Sequence, residues 1–180
     1  MSNKDWQPIS MGKLIVFLVG ASFFFFLVLK SEPGFVFVID HANLLFHEAG
    51  HPIFGLLGGT LALYGGTLGQ LTFPMVLVVS FWWKREPLSC AAASLWFFEN
   101  WLNIARYMAD ARVLELPLVG SGDHDWEDIF QRWGVLEQDV RIASFVRAIG
   151  WIGMAAACGW VLWRWYRDRP KIHDTALATE

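Results

Sequence analysis

Apolar residues gather in five long blocks along the chain, and shorter polar stretches separate them. The blocks cover residues 11–29, 35–64, 68–83, 88–108 and 140–166. Even the first block, at about 1.5 Å per helical residue, is long enough to cross a hydrocarbon layer roughly 30 Å thick. The pattern predicts an all-α integral membrane protein with about five transmembrane helices. Residues 1–180 then form a single multi-pass membrane domain, with a polar loop at about 109–139 and a polar tail at about 168–180.

Composition agrees with this prediction and excludes other classes of protein. Hydrophobic residues make up 55% of the chain and charged residues 17%, and the net charge is -3. A disordered chain would be more polar, and a nucleic-acid-binding protein would carry a basic patch. The expected environment is therefore the lipid bilayer, and nucleic acid is not an expected partner. The two cysteines, Cys90 and Cys158, each lie inside an apolar block and are interpreted as packing residues.

The second block carries a set of ionisable side chains that is unusual inside a membrane. His47, Glu48 and His51 form an HExxH sequence. On a helix, positions i and i+4 share a face, so both imidazoles can reach one metal ion. Glu48 lies one residue around the helix, where it can accept a proton from water without ligating the metal. Two histidines suit Zn²⁺ if a third protein ligand is added and the fourth position is left to water.

The third metal ligand has to come from elsewhere in the chain. One candidate region is the sequence GDHDW at residues 122–126, where His124 is the leading choice and Asp125 the close alternative. The other candidate is Asp110, near the end of the fourth block. The competing interpretation of residues 122–126 is a helix cap in which Asp125 precedes a short amphipathic surface helix at residues 126–133.

Other polar residues in the second block lie on the same helix faces as the HExxH residues, and the fourth block has a polar face of its own. Asp40 and Asn43 precede His47 at helical spacing and are candidates to accept the second ring N–H of a ligand histidine. His41 falls on the face of Glu48, and a polar, water-filled cavity is the alternative role for all three. In the fourth block, Asn100, Asn103 and Tyr107 form one polar face with Asp110; hydrogen bonding between helices is at least as strong an interpretation of that face as metal ligation. Pro52 predicts a kink beside the motif.

Glycines are concentrated directly after the HExxH sequence, at the end of the second block and the start of the third. The stretch at residues 55–70 is GLLGGTLALYGGTLGQ. It predicts a bend, a re-entrant segment or very close helix packing. Close packing is the favoured interpretation, and the alternative is a backbone edge that receives an extended peptide.

These features together resemble a known family. An HExxH inside a membrane block, a glycine-rich stretch, and then Gly69, Gln70 and Pro74 resemble the site-2 protease family of intramembrane zinc metallopeptidases, especially its small bacterial members. The resemblance covers residues 35–80. It implies zinc bound by His47 and His51, Glu48 as general base, and cleavage of peptide bonds within or near the membrane. The family's third ligand comes from a later Asp-Gly, and this chain contains no Asp-Gly.

The expected function is therefore an intramembrane zinc metalloprotease of the bacterial inner membrane, acting on a membrane protein or peptide. The alternative is a membrane protein that binds metal without catalysis, or an accessory subunit of a membrane complex. A second copy of the chain or another membrane subunit stays open as a partner.

Overall fold

A computed structural model describes residues 5–31, 35–117 and 124–177, with side chains described as far as residue 169. The described residues form helices connected by short turns, with no strand among them. Gly122 and Asp123 of the predicted ligand segment lie outside this part of the chain. The six α-helices are α1 (Met11–Lys30), α2 (Phe37–Gly55), α3 (Gly59–Trp83), α4 (Pro87–Ala109), α5 (Asp125–Trp133) and α6 (Asp139–Leu177), and a 3₁₀ turn at Leu136–Gln138 precedes α6.

Three helical segments are long and apolar enough to cross a membrane. They are Met11–Lys30, Gly59–Trp83 and Leu136–Arg169. Much of their surface is apolar and faces outward; Val16 and Phe23 of α1, for example, are 73% and 61% exposed. An outward apolar surface of this kind suits lipid, so the fold is that of a membrane protein. Helices α2 and α4 are more polar, and their crossing of the membrane, which the five-span count requires, stays a prediction.

Glycines bring α2 and α3 into close contact. The second predicted block divides into two helices, because the chain turns at residues 56–58 and Gly58 adopts a positive φ of 128°. A Cβ atom at Gly50 would overlap the backbone of Gly65, and one at Gly69 would overlap the backbone of Phe46. Gly65 and Gly69 of α3 therefore act in close helix packing, the interpretation that the sequence favoured. Helix α2 continues through Pro52 to its end at Gly55.

Helix α5 packs across the ends of the neighbouring helices. Its buried residues Trp126, Ile129 and Phe130 contact a cluster that includes Ile104 of α4 and Ala143 of α6. The helix ends where Gly134 takes a left-handed conformation, with φ of 68°. The predicted amphipathic helix at residues 126–133 is confirmed, and it begins one residue earlier. This packing fixes the position of its first residue, Asp125.

Candidate metal centre

The two histidines of the HExxH sequence point toward the same carboxylate oxygen. The Nε2 atom of His47 lies 2.9 Å from Oδ2 of Asp125, and the Nε2 atom of His51 lies 3.3 Å from the same oxygen. One ligand atom from each of the three residues can be chosen so that all lie within 4.8 Å of one another. A His-His-Asp group of this size could hold a metal ion. Its members come from α2 and from the first turn of α5.

The second nitrogen of each ring shows which nitrogen is free for a metal. Nδ1 of His51 lies 2.8 Å from the backbone carbonyl oxygen of Ala62. A carbonyl oxygen can only accept, so Nδ1 carries a hydrogen, and in the neutral ring Nε2 then presents its lone pair. Nδ1 of His47 lies 3.4 Å from Oε1 of Gln70, which gives the same assignment.

This donor set fits a divalent cation. In neutral rings protonated at Nδ1, two Nε2 lone pairs and a carboxylate oxygen would repel one another at these distances unless protons or a cation lay among them. A metal ion removes that conflict, and ring nitrogens whose N–H is held by an oxygen acceptor are typical of metal-ligating histidines. Burial adds to the fit, because the side chains of His47 and Asp125 are only 9% and 12% exposed.

Asp125 is held in place through its backbone as well as by helix packing. Its amide N–H donates to the hydroxyl oxygen of Tyr107, 3.1 Å away on α4. The Tyr107 ring also packs against the ring of His47, with 5.7 Å between centroids. At the other end of α5, Nε1 of Trp133 donates to the hydroxyl of Tyr64 on α3 over 3.0 Å. Tyr107 and Tyr64 thus fix α5 relative to the helices that carry the site.

His124, the leading sequence candidate for third ligand, is not part of the cluster. It is buried and serves as the N-cap of α5, with Nδ1 accepting from the backbone N–H of Glu127 over 3.1 Å. Its Nε2 lies 3.5 Å from Oδ2 of Asp110. Burial lowers the pKa of His124, and the nearby Asp110 carboxylate opposes that shift. The capping residue is therefore His124, and Asp125, which was interpreted as the cap in the competing view, is the first residue of the helix and faces the histidines.

Asp110, the other candidate, organises the loop after α4. Its two carboxylate oxygens accept from the backbone N–H groups of Glu115 and Leu116, at 3.0 and 3.1 Å. Both interactions hold the chain where it leaves α4. Asp110 is thus occupied by backbone donors and by its proximity to His124.

Glu48 is half-buried beside the first histidine. Within the described residues it takes part in no hydrogen bond or ion pair. Its carboxylate is therefore uncommitted, as a proton acceptor requires.

The remaining predicted polar residues do not touch the two histidines. Asp40 and Asn43 belong to a buried network farther along α2, and Nδ2 of Asn43 donates to Glu99 over 3.0 Å. Nδ1 of His41 lies 2.6 Å from the backbone oxygen of Phe37, on the exposed side of α2. Asn100 donates to the backbone oxygen of Trp96 over 3.0 Å.

Three groups that position the site were not predicted for that role: Gln70, the carbonyl of Ala62 and the hydroxyl of Tyr107. Their roles depend on how α2, α3 and α4 are aligned with one another, and local sequence patterns do not predict that alignment. Comparison with protein-family models, with curated proteins and with solved structures finds no match.

Proposed function

We propose that this chain is a multi-pass membrane zinc metalloprotease that hydrolyses peptide bonds of membrane-embedded or membrane-proximal substrates. The observation that carries the proposal is the convergence of His47, His51 and Asp125, with Glu48 next to His47 in the sequence. Two imidazoles and one carboxylate, with a fourth position left open, are a ligand set that catalytic zinc sites use. The resemblance to small bacterial site-2 proteases supports the bacterial inner membrane as the location.

Each residue of the site has a distinct role in this proposal. When bound, zinc would supply Lewis-acid activation of the attacking water and of the scissile carbonyl group. His47 and His51 would hold it through Nε2, and Asp125 through a carboxylate oxygen. The Glu48 carboxylate accepts a proton from the attacking water and delivers it to the nitrogen of the leaving amine.

The surroundings of the site favour an apolar substrate. His51 is the most accessible member, with 29% of its side chain exposed against 9% for His47. The nearby end of α2 and the following turn expose Ile53, Leu56 and Leu57 at 60%, 88% and 72%. A peptide that approaches His51 would meet these side chains, which suits a hydrophobic segment better than a soluble polar peptide.

The experiment measures zinc content and cleavage on the same preparations in detergent. The substrate is a single-span helical peptide with a fluorophore and a quencher at its ends. We expect Glu48→Gln to retain zinc while cleavage falls roughly 10²–10⁴-fold, the usual contribution of a general base. Asp128→Asn is the matched control, because Asp128 is an exposed carboxylate on α5 that pairs with Arg132 on the same helix.

Three results would contradict the proposal. Cleavage by Glu48→Gln at the parent rate would show that Glu48 is not the general base. Zinc binding without cleavage by the parent would favour the alternative, a non-catalytic metal-binding protein or an accessory subunit. Stoichiometric iron or copper in place of zinc would indicate a different reaction.

A further inference from the structure

We propose that Gln70, Asn103 and Asp40 are positioning residues that fix the orientation and the tautomer of His47. They form a chain of hydrogen bonds that begins at the ring of this ligand and ends at a buried carboxylate. The inference rests on the metal centre of the proposed function, and it does not depend on peptide cleavage.

The chain has three links and crosses three helices. Nδ1 of His47 on α2 lies 3.4 Å from Oε1 of Gln70 on α3. Nε2 of Gln70 donates to Oδ1 of Asn103 on α4 over 2.8 Å, and Nδ2 of Asn103 donates to Oδ1 of Asp40 on α2 over 2.8 Å. The longest link is the one that touches the ligand histidine.

The acceptor at the far end sets the direction of every link. The Asp40 carboxylate accepts from Asn103, from the side-chain amide of Asn43 over 3.1 Å and from the backbone N–H of Val36. Because Asp40 accepts, Asn103 must direct its NH₂ group toward Asp40 and its oxygen toward Gln70. Gln70 must then direct its own NH₂ toward Asn103, which leaves its oxygen facing His47. That oxygen requires a hydrogen on Nδ1 and so leaves Nε2 free for a metal.

Burial makes the direction costly to reverse. Asp40 is 1% exposed and Gln70 is 3% exposed. If the buried Gln70 amide flipped, its NH₂ group would face the Nδ1–H of His47 and its oxygen would face the oxygen of Asn103, and both hydrogen bonds would be lost. Gly66 also lies against the His47 ring, because a Cβ atom there would collide with the ring. The ring is therefore confined both by Gly66 and by its contact with Gln70.

The two ligand histidines differ in how they are oriented. Nδ1 of His51 donates to a backbone carbonyl, which no side-chain substitution removes. His47 depends on a side chain, so its orientation can be changed by substitution. This difference makes the inference testable.

The test compares Gln70→Leu with Gln70→Glu. Zinc affinity is measured by competition with a chelator, the absorption spectrum is recorded with Co²⁺ in place of zinc, and the Nδ1–H signal of His47 is followed by NMR in the zinc-loaded protein. We expect Gln70→Leu to weaken zinc binding roughly 10–100-fold, the usual effect of losing the acceptor of a ligand histidine. The Co²⁺ spectrum should change, and the Nδ1–H signal should exchange rapidly with water.

Two further variants distinguish an effect on the orientation of His47 from a general loss of stability. Gln70→Glu keeps an oxygen facing His47 but loses the donor to Asn103, so it should restore part of the affinity and of the slow exchange of Nδ1–H. Asn100→Leu is the control, because Asn100 is also buried on α4, and within the described residues its side chain hydrogen-bonds to the backbone of Trp96 and not to the chain that reaches His47. It should leave affinity and spectrum unchanged even if it lowers the melting temperature.

Specific outcomes would overturn the inference. Unchanged affinity and an unchanged Co²⁺ spectrum in Gln70→Leu would do so, as would equal losses in Gln70→Leu and Asn100→Leu. If the unsubstituted protein binds neither Zn²⁺ nor Co²⁺, the metal centre itself is contradicted, and the inference falls with it. A parent that binds zinc but cleaves no peptide would contradict the proposed function and leave these measurements valid.

Discussion

The two ends of α6 lie beside regions that use polar residues in opposite ways. Near its first residue, histidines, carboxylates and amides from α2, α3, α4 and α5 are buried and joined in a directional network. About 37 Å away along the helix, Arg164 forms a buried ion pair with Asp168 at 2.9 Å, among tryptophan rings. The ring of Trp6 packs on Trp82 and Trp160, with centroids 4.9 and 5.1 Å apart.

The comparison separates a site from a packing cluster. In the tryptophan cluster (Trp6, Trp82, Trp160 and Arg164), charges are matched within one helix and aromatic edges meet aromatic faces, so the described charges need no ion. At the metal centre, two ring nitrogens and a carboxylate oxygen meet at one point. Several electron-pair donors that converge on one point indicate a binding site. An ion pair surrounded by aromatic rings, such as Arg164 with Asp168, indicates packing at a membrane interface instead.

The largest effect is expected from Asp125. Asp125→Ala removes the only carboxylate among the described residues that faces both histidines, so bound zinc should fall below detection by elemental analysis after dialysis. His124→Asn should retain zinc, because asparagine is a good N-cap and His124 does not join the cluster. Zinc lost from His124→Asn and kept by Asp125→Ala would reverse the assignment of the third ligand.

A smaller effect is expected from Gly66→Ala. The added methyl group would meet the His47 ring, which must turn away from its aligned position. We expect zinc affinity to fall by roughly tenfold or more, within the range seen when the support of a ligand is disturbed. Gly20→Ala in α1 is the control, because a Cβ atom there meets no other atom within 4 Å. Equal zinc affinity in the two variants would show that the ring is not confined.

The smallest effect on the metal centre is expected from the tryptophan cluster. Trp6→Ala removes two edge-to-face aromatic contacts and should lower the apparent melting temperature by roughly 3–8 °C. Zinc affinity should stay at the parent value, because the two regions share no hydrogen bond in the described structure. A parallel loss of zinc affinity would show that the two regions are coupled.

Much of the helical architecture could be predicted from the apolar pattern. The block at residues 11–29 corresponds to Met11–Lys30 and the block at 88–108 to Pro87–Ala109. The block at residues 35–64 divides into α2 and the first residues of α3, and the division falls in the glycine-rich stretch. Glycines in a long apolar stretch are compatible both with one continuous helix and with two helices joined by a turn. The positive φ of Gly58 shows where the chain turns.

Only part of the candidate site could be predicted, because two of its ligands are related by local spacing and the third is brought in by long-range packing. His47 and His51 are linked by helical spacing, which the sequence displays. Asp125 lies 78 residues from His47, and the choice between it and its neighbour depends on which residue caps α5. Capping by the His124 ring shifts the first helical position by one residue. Gln70 could not be assigned to His47 because its position depends on the glycine contacts that align α2 with α3.

The most direct test of the central claim is X-ray absorption spectroscopy at the zinc edge, together with elemental analysis of the purified protein. The account predicts one zinc ion per chain, with two imidazole nitrogens at about 2.0–2.1 Å and oxygen ligands completing a four-coordinate shell. It also predicts that this signal disappears in Asp125→Ala. A preparation without stoichiometric metal, or a shell containing sulfur at about 2.3 Å, would contradict it.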